Sequence, residues 1–148
     1  MNNIYISKSL EDTQKIAVDF AKQINSGDTI LFYGDLGVGK TEFIKSICSF
    51  FNVQQVVASP TFTIVNQYEG EKDGMPFNFF HIDLYRIKNQ EELINLGFED
   101  YLYSTEFVKL IEWSENSFNL ISKYDYSIEI TADDNEECTR HIKISKNI

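Results

Sequence analysis

The chain alternates between short apolar runs of period two, stretches of helical period, and polar breaks. Ile4-Tyr5-Ile6 reads as a first strand. After Ser9, the residues Leu10, Ile16, Ala17, Phe20 and Ile24 recur at helical spacing, with Asp12 placed as an acidic capping partner. Asn25-Ser26-Gly27-Asp28 ends that helix and turns the chain into a strand, Thr29-Ile30-Leu31-Phe32-Tyr33. Phe43, Ile44, Ile47, Cys48 and Phe51 then mark a second helix, and residues 53–58 are apolar enough to approach a strand. Residues 63–68 and 77–83 read as strands around a polar, Gly-containing turn at 69–74, with Pro76 opening the second run. An antiparallel hairpin here is informative, because a plain doubly wound sheet would carry a helix instead. Asn89 caps a short helix over 91–96 closed by Gly97, and a further helical turn covers 100–104. Residues 108–111 form a buried strand, and 126–131 and 139–145 are closing strands around an acidic turn at 133–137. The pattern predicts an α/β fold with a mixed parallel and antiparallel central sheet, in one domain over residues 1–148.

Between the strand ending at Tyr33 and the helix that follows lies Gly34-Asp35-Leu36-Gly37-Val38-Gly39-Lys40-Thr41, which fits G-x-x-x-x-G-K-[ST]. Three glycines let the backbone point successive N–H groups at phosphates, and the helix N-terminus adds its positive end. Lys40 is placed for the β- and γ-phosphates, and the Thr41 hydroxyl for Mg²⁺. Because the motif stands between a strand and a helix, it predicts a bound nucleotide.

Composition narrows the picture. The net charge of −10, with Arg86 and Arg140 as the arginines and no basic run, argues against strong binding of this chain to nucleic acid or to an anionic membrane. No apolar run nears the ~18 residues of a membrane span, and the N-terminus lacks the regions of a signal peptide. Cys48 and Cys138 are far apart and read as thiols in a reducing cytoplasm.

Nucleotide chemistry at such a loop needs Mg²⁺ and a carboxylate at a strand end. Two apolar strands finish in an acid: Phe79-Phe80-His81-Ile82-Asp83 and Val108-Lys109-Leu110-Ile111-Glu112. Ligands sit outside the carboxyl ends of strands in open α/β sheets, so both acids are candidates for one site. His81 shares a strand face with Asp83 and fits either a structural or a functional histidine. Trp113, next to Glu112, fits either a core residue or a cover for the site. Thr61, in a Ser-Pro turn, fits either a backbone-bonding hydroxyl or a sensor of the γ-phosphate.

Taken together, Gly34-Asp35-Leu36-Gly37-Val38-Gly39-Lys40-Thr41, Ser59-Pro60-Thr61-Phe62, His81-Ile82-Asp83-Leu84-Tyr85-Arg86 and Ile111-Glu112-Trp113 resemble the TsaE (YjeE) family in order and spacing, over nearly the whole chain. The resemblance implies a P-loop NTPase-like three-layer fold. It also implies a cytoplasmic ATPase of tRNA threonylcarbamoyladenosine biosynthesis that works with TsaD and TsaB, using ATP and Mg²⁺. By motif, Leu36, Gly37, Val38, Gly39, Lys40 and Thr41 would bind ATP, and Thr41 and Glu112 would serve Mg²⁺. Asp83 would be the acid near the γ-phosphate, Thr61 a switch-like threonine, and Ser9, Glu115 and Arg140 further nucleotide contacts. Val38 stands where the family often has alanine, and Ser114 where it often has proline.

Three rivals remain. A small-molecule kinase would need cationic residues for a second phosphate-bearing substrate. A GTPase is suggested faintly by Ser122-Lys123-Tyr124-Asp125, though Asp83-Leu84-Tyr85-Arg86 lacks a switch glycine. An ATP-regulated binding module would show only incidental turnover.

Overall fold

The computed structural model describes residues 2–60 and 62–147. Seven strands join in one sheet: β1 (Asn2–Ser7), β2 (Thr29–Tyr33), β3 (Val65–Lys72), β4 (Met75–Asp83), β5 (Phe107–Glu112), β6 (Tyr126–Ala132) and β7 (Arg140–Lys146). Their order across the sheet is β1-β7-β6-β2-β5-β4-β3. The middle strands β4, β5, β2 and β6 run parallel, and the outer pairs β3–β4, β6–β7 and β1–β7 are antiparallel. The expected mixed sheet is what the chain forms.

Helices α1 (Leu10–Ala21) and α2 (Lys40–Phe50) cover one face, and the short helices α3 (Gln90–Leu96) and α4 (Phe98–Leu102) cover the other. Period-two alternation divides the sheet residues between the two cores. Phe32, Phe79, Leu110 and Ile128 pack with Ala17, Phe20, Ile44 and Ile47. Leu31, Ile82 and Ile111 pack with Leu93 and Phe98. Three layers result. Among the described residues no helix is long and apolar enough to cross a membrane.

Local chemistry explains the element ends. The Ser9 hydroxyl accepts the N–H of Asp12, whose carboxylate in turn accepts the N–H of Lys8. Asn89 caps α3 by accepting the N–H of Glu92, and Gly97 closes it in the left-handed conformation.

Two expectations need correction. Residues 53–58 form no strand. The chain from Phe51 onward runs beside the outer edge of β3 and meets its N–H groups singly: the Phe51 carbonyl accepts from Glu71 N at 2.7 Å, and the Gln55 side chain from Glu69 N at 3.2 Å. Val57 turns into the core while Val56 is 87% exposed, so the apolar run never becomes one buried face. The turn is also shorter than 69–74. Lys72 pairs with Met75, leaving Asp73 and Gly74 as a two-residue connection with φ of 53° and 77°. The polar residues before it belong to an edge strand, where polarity marks solvent rather than a break.

Gly70 marks where the chain after α2 crosses β3. A Cβ there would stand 2.7 Å from the Phe77 carbonyl oxygen and 2.8 Å from that of Phe51. Gly74 has nothing within 4 Å, only its positive φ. Gly70→Ala should therefore cost about 2–3 kcal/mol as overpacking against backbone, and Gly74→Ala about 1 kcal/mol as torsional strain. Urea unfolding of both variants checks the order; an equal loss at the two sites would contradict the crossing contact.

Candidate functional site

The phosphate-loop motif connects β2 to α2, and Lys40 is the first residue of that helix. Gly34 has φ 149°, and a Cβ there would meet the Ile130 carbonyl oxygen at 2.6 Å and Val38 Cγ1 at 2.8 Å. No larger residue lets the loop leave the sheet so close to β6. Gly39 stands at the helix N-cap with φ 118° and no capping side chain, which leaves the first N–H groups of α2 free for an anion.

Lys40 is 5% exposed. Its Nζ donates to the Gly34 carbonyl and lies 4.1 Å from the centre of the Trp113 ring. Burial lowers the pKa of its ammonium below the ordinary lysine value, and Glu112, Glu115, Asp83 and Asp35 push it back up. The lysine thus sits within reach of four acids. Thr41 is half-buried in the first turn of α2.

Asp83 and Glu112 are register partners at the ends of the parallel strands β4 and β5. Both are buried, at 7% and 3% exposure. Alternation aims both toward the α2 face, since they continue the rows of Phe79 and Leu110. Asp83 accepts from Ser59 Oγ at 2.7 Å and from the N–H of Tyr85 at 2.9 Å. Glu112 accepts from His81 Nε2 at 2.7 Å. His81 is fully buried, and its Nδ1 is 2.9 Å from the Tyr68 hydroxyl.

Trp113 fits both of its readings. With φ 57° it turns the chain out of β5, its ring packs 4.9 Å from that of Tyr85, and one part joins the second core while another faces Lys40. The following 3₁₀ turn, Ser114–Asn116, brings exposed Glu115 to a cleft of about 740 Å³. Residues 34–38, Glu129, Asp134 and Arg140 line the same cleft. Leu36 is exposed there at 65%.

Arg140 Nε donates to the Val38 carbonyl at 3.0 Å, and its Nη1 to the carbonyls of Glu137 and Thr139. Its guanidinium braces the loop from β7. Ser9 is engaged as the cap of α1 and does not line the cleft, although β1 pairing sets Ser7 opposite Arg140 at the same sheet edge. Thr61 lies outside the described residues. Cys48 is buried, which pushes its thiol up to about 12, and Cys138 is exposed; both are free.

Asp125, from the faint guanine-reading match, accepts the N–H of Thr29 at 2.8 Å, at the start of β2 and away from the phosphate loop. That position removes the GTPase reading. Sequence reasoning singled out neither Ser59 nor Tyr68 as a partner of the acids. Tyr68 was recoverable from the hairpin: once Asp73-Gly74 is the turn, Tyr68 pairs with Phe79 and shares a face with His81. No local signal links Ser59 to Asp83.

A family model described as "Threonylcarbamoyl adenosine biosynthesis protein TsaE" matches residues 7–142. A tRNA threonylcarbamoyladenosine biosynthesis protein TsaE from Rickettsia prowazekii is 36% identical over 136 residues, covering 90% of each chain. The protein of that name from Bacillus subtilis is 36% identical over 104 residues, 70% of this chain and 61% of the relative. The crystal structure of Bacillus subtilis YdiB superposes with a TM-score of 0.77 at 25% identity, over 99% of this chain and 86% of the other.

The Ser59–Asp83 contact generates a stability test. Ser59→Ala removes a donor from a buried acid and should cost about 1.5 kcal/mol, the value of a hydrogen bond to a charged group. Chemical denaturation measures it. An unchanged midpoint would show that solvent replaces the hydroxyl without loss.

Proposed function

This chain belongs to the TsaE family, and from that premise we propose that it is a P-loop ATPase serving threonylcarbamoyladenosine formation on tRNA through the TsaD–TsaB complex. The observation that carries this reading is the pairing of Asp83 with Glu112 beside Lys40, at the N-terminus of α2. Positioning plus electrostatics is most of what phosphoryl transfer asks of a protein.

In this reading the N–H groups at 37–41 and the Lys40 ammonium take the β- and γ-phosphates of ATP. Lys40 must first leave the Gly34 carbonyl, and the phosphates replace that acceptor. The Thr41 hydroxyl and the Glu112 carboxylate are hard oxygen donors suited to Mg²⁺, which keeps waters and phosphates as its other ligands. Among the described residues no three His, Cys, Asp or Glu side chains converge as a cage, so a metal here would be shared with the nucleotide. A Mg²⁺ held by them would supply positive charge against the phosphates. Asp83, held by Ser59 and the Tyr85 N–H, is the candidate for orienting the attacking water. Leu36, Val38, Glu115 and Arg140 border the cleft open to the rest of the nucleotide. Ser9 and Thr61 stay candidates on the family motif alone.

The first experiment separates these roles. Lys40→Ala should abolish phosphate release. Glu112→Gln should weaken Mg²⁺-dependent nucleotide binding, whereas Asp83→Asn should chiefly lower turnover with affinity nearer normal. Calorimetry paired with a phosphate-release assay reads both, and the opposite ordering would exchange the two assignments.

The second experiment concerns partners. An arginine facing the γ-phosphate is worth roughly 10³–10⁵ in rate. Both arginines of this chain are otherwise engaged: Arg140 on backbone carbonyls, and Arg86 5.1 Å from the Phe62 ring. Turnover should therefore be slow alone and faster with TsaD and TsaB, and the acidic chain should not bind tRNA at physiological salt. Unchanged turnover with both partners, or tight binding of labelled tRNA to the lone chain, would defeat the proposal.

A further inference from the structure

The two strand-end acids are held by different means. Asp83 is held by the Ser59 hydroxyl and the main-chain N–H of Tyr85. Glu112 is held from inside the sheet. Among the described residues, His81 is the one side chain that hydrogen-bonds its carboxylate, at 2.7 Å, and that histidine is 0% exposed. Tyr68, itself 2% exposed, stands 2.9 Å from the other imidazole nitrogen and 3.1 Å from the Ala58 carbonyl. A carboxylate only accepts, so His81 Nε2 carries its hydrogen whichever way the Tyr68 hydroxyl turns. One oxygen of Glu112 is thereby fixed, and the direction of the other follows.

A histidine that merely filled the core would be an expensive choice, because a buried polar ring costs free energy unless both nitrogens are satisfied. Here both nitrogens are spent on side chains, not on the neighbouring main chain. One leads to Glu112. The other leads through Tyr68 to Ala58, whose successor Ser59 bonds Asp83.

Resting on the reading of Glu112 as the metal-facing acid, we propose that His81 is its positioning residue and Tyr68 orients His81. Together they hold the carboxylate in one direction before nucleotide arrives, so that little ordering remains to be done on binding. Outer partners of metal-binding groups act in this way, and their loss costs roughly 10–100-fold in metal affinity.

The test is calorimetric titration of a non-hydrolysable ATP analogue, with and without magnesium chloride, alongside thermal melting. His81→Leu should weaken binding about tenfold in magnesium and leave metal-free binding within about twofold. His81→Gln, whose amide can donate to Glu112, should recover most of the loss. Tyr68→Phe should show a smaller loss of the same kind. Equal losses with and without magnesium, or wild-type affinity in magnesium despite a lowered melting temperature, would make His81 only structural and overturn the inference. If His81→Leu does not fold, Tyr68→Phe and His81→Gln decide: unaltered magnesium dependence in Tyr68→Phe, or a loss in His81→Gln that ignores magnesium, overturns it. Glu112→Gln separates the two levels. If it is insensitive to magnesium, the assignment of Glu112 fails; if it is sensitive while the His81 variants are not, only the positioning role fails.

Discussion

Parallel pairing of β4 with β5 is the constraint on which the site depends. It sets Asp83 level with Glu112, and alternation then turns both toward the face that α2 covers. A shift of one residue in either strand would move its acid into the opposite core, among Leu31, Ile82 and Ile111. The hairpin fixes the neighbouring register of β3 against β4. Its two-residue turn fixes β3 against β4 from Lys72–Met75 through Val65–Ile82, and the crossing at Gly70 ties β3 to the end of α2. Ser59, in the segment before β3, bonds Asp83 at the carboxyl end of β4.

Electrostatics gives that corner its character. Lys40 is buried, which lowers its pKa, and the charges of Glu112, Glu115, Asp83 and Asp35 act in the opposite direction. Conversely, two buried carboxylates side by side are tolerable only with donors at hand, and each has one or more: Ser59 and the Tyr85 N–H for Asp83, His81 for Glu112. Negative charge exceeds positive charge at this corner, with Asp83, Glu112, Glu115 and Asp35 acting on Lys40.

The chain's arginines show the same economy of placement. Arg140 is consumed in bracing the loop from β7, so the C-terminal strand pair has a part in shaping the cleft, although its motif content is slight. Arg86 lies over the exposed ring of Phe62, the last residue of Ser59-Pro60-Thr61-Phe62.

Element types and the place of the glycine-rich loop between β2 and α2 were legible in the sequence because their causes are local. A strand, a glycine-rich turn and an amphipathic helix each follow from neighbours within a few residues, as do the Ser9 and Asn89 caps. The candidate acids were legible too, since an apolar strand ending in Asp or Glu is a local pattern. Their partners were not. Tyr68, His81 and Glu112 meet across three strands, and Ser59 reaches Asp83 from a loop 24 residues away. Residues 53–58 and 69–74 were misread for one reason: on an edge strand and the loop beside it, polarity reports exposure, and exposure is decided by what the rest of the sheet leaves uncovered. Which hydroxyl or ring holds an acid depends on strand order and register, and these are settled only when distant segments pack.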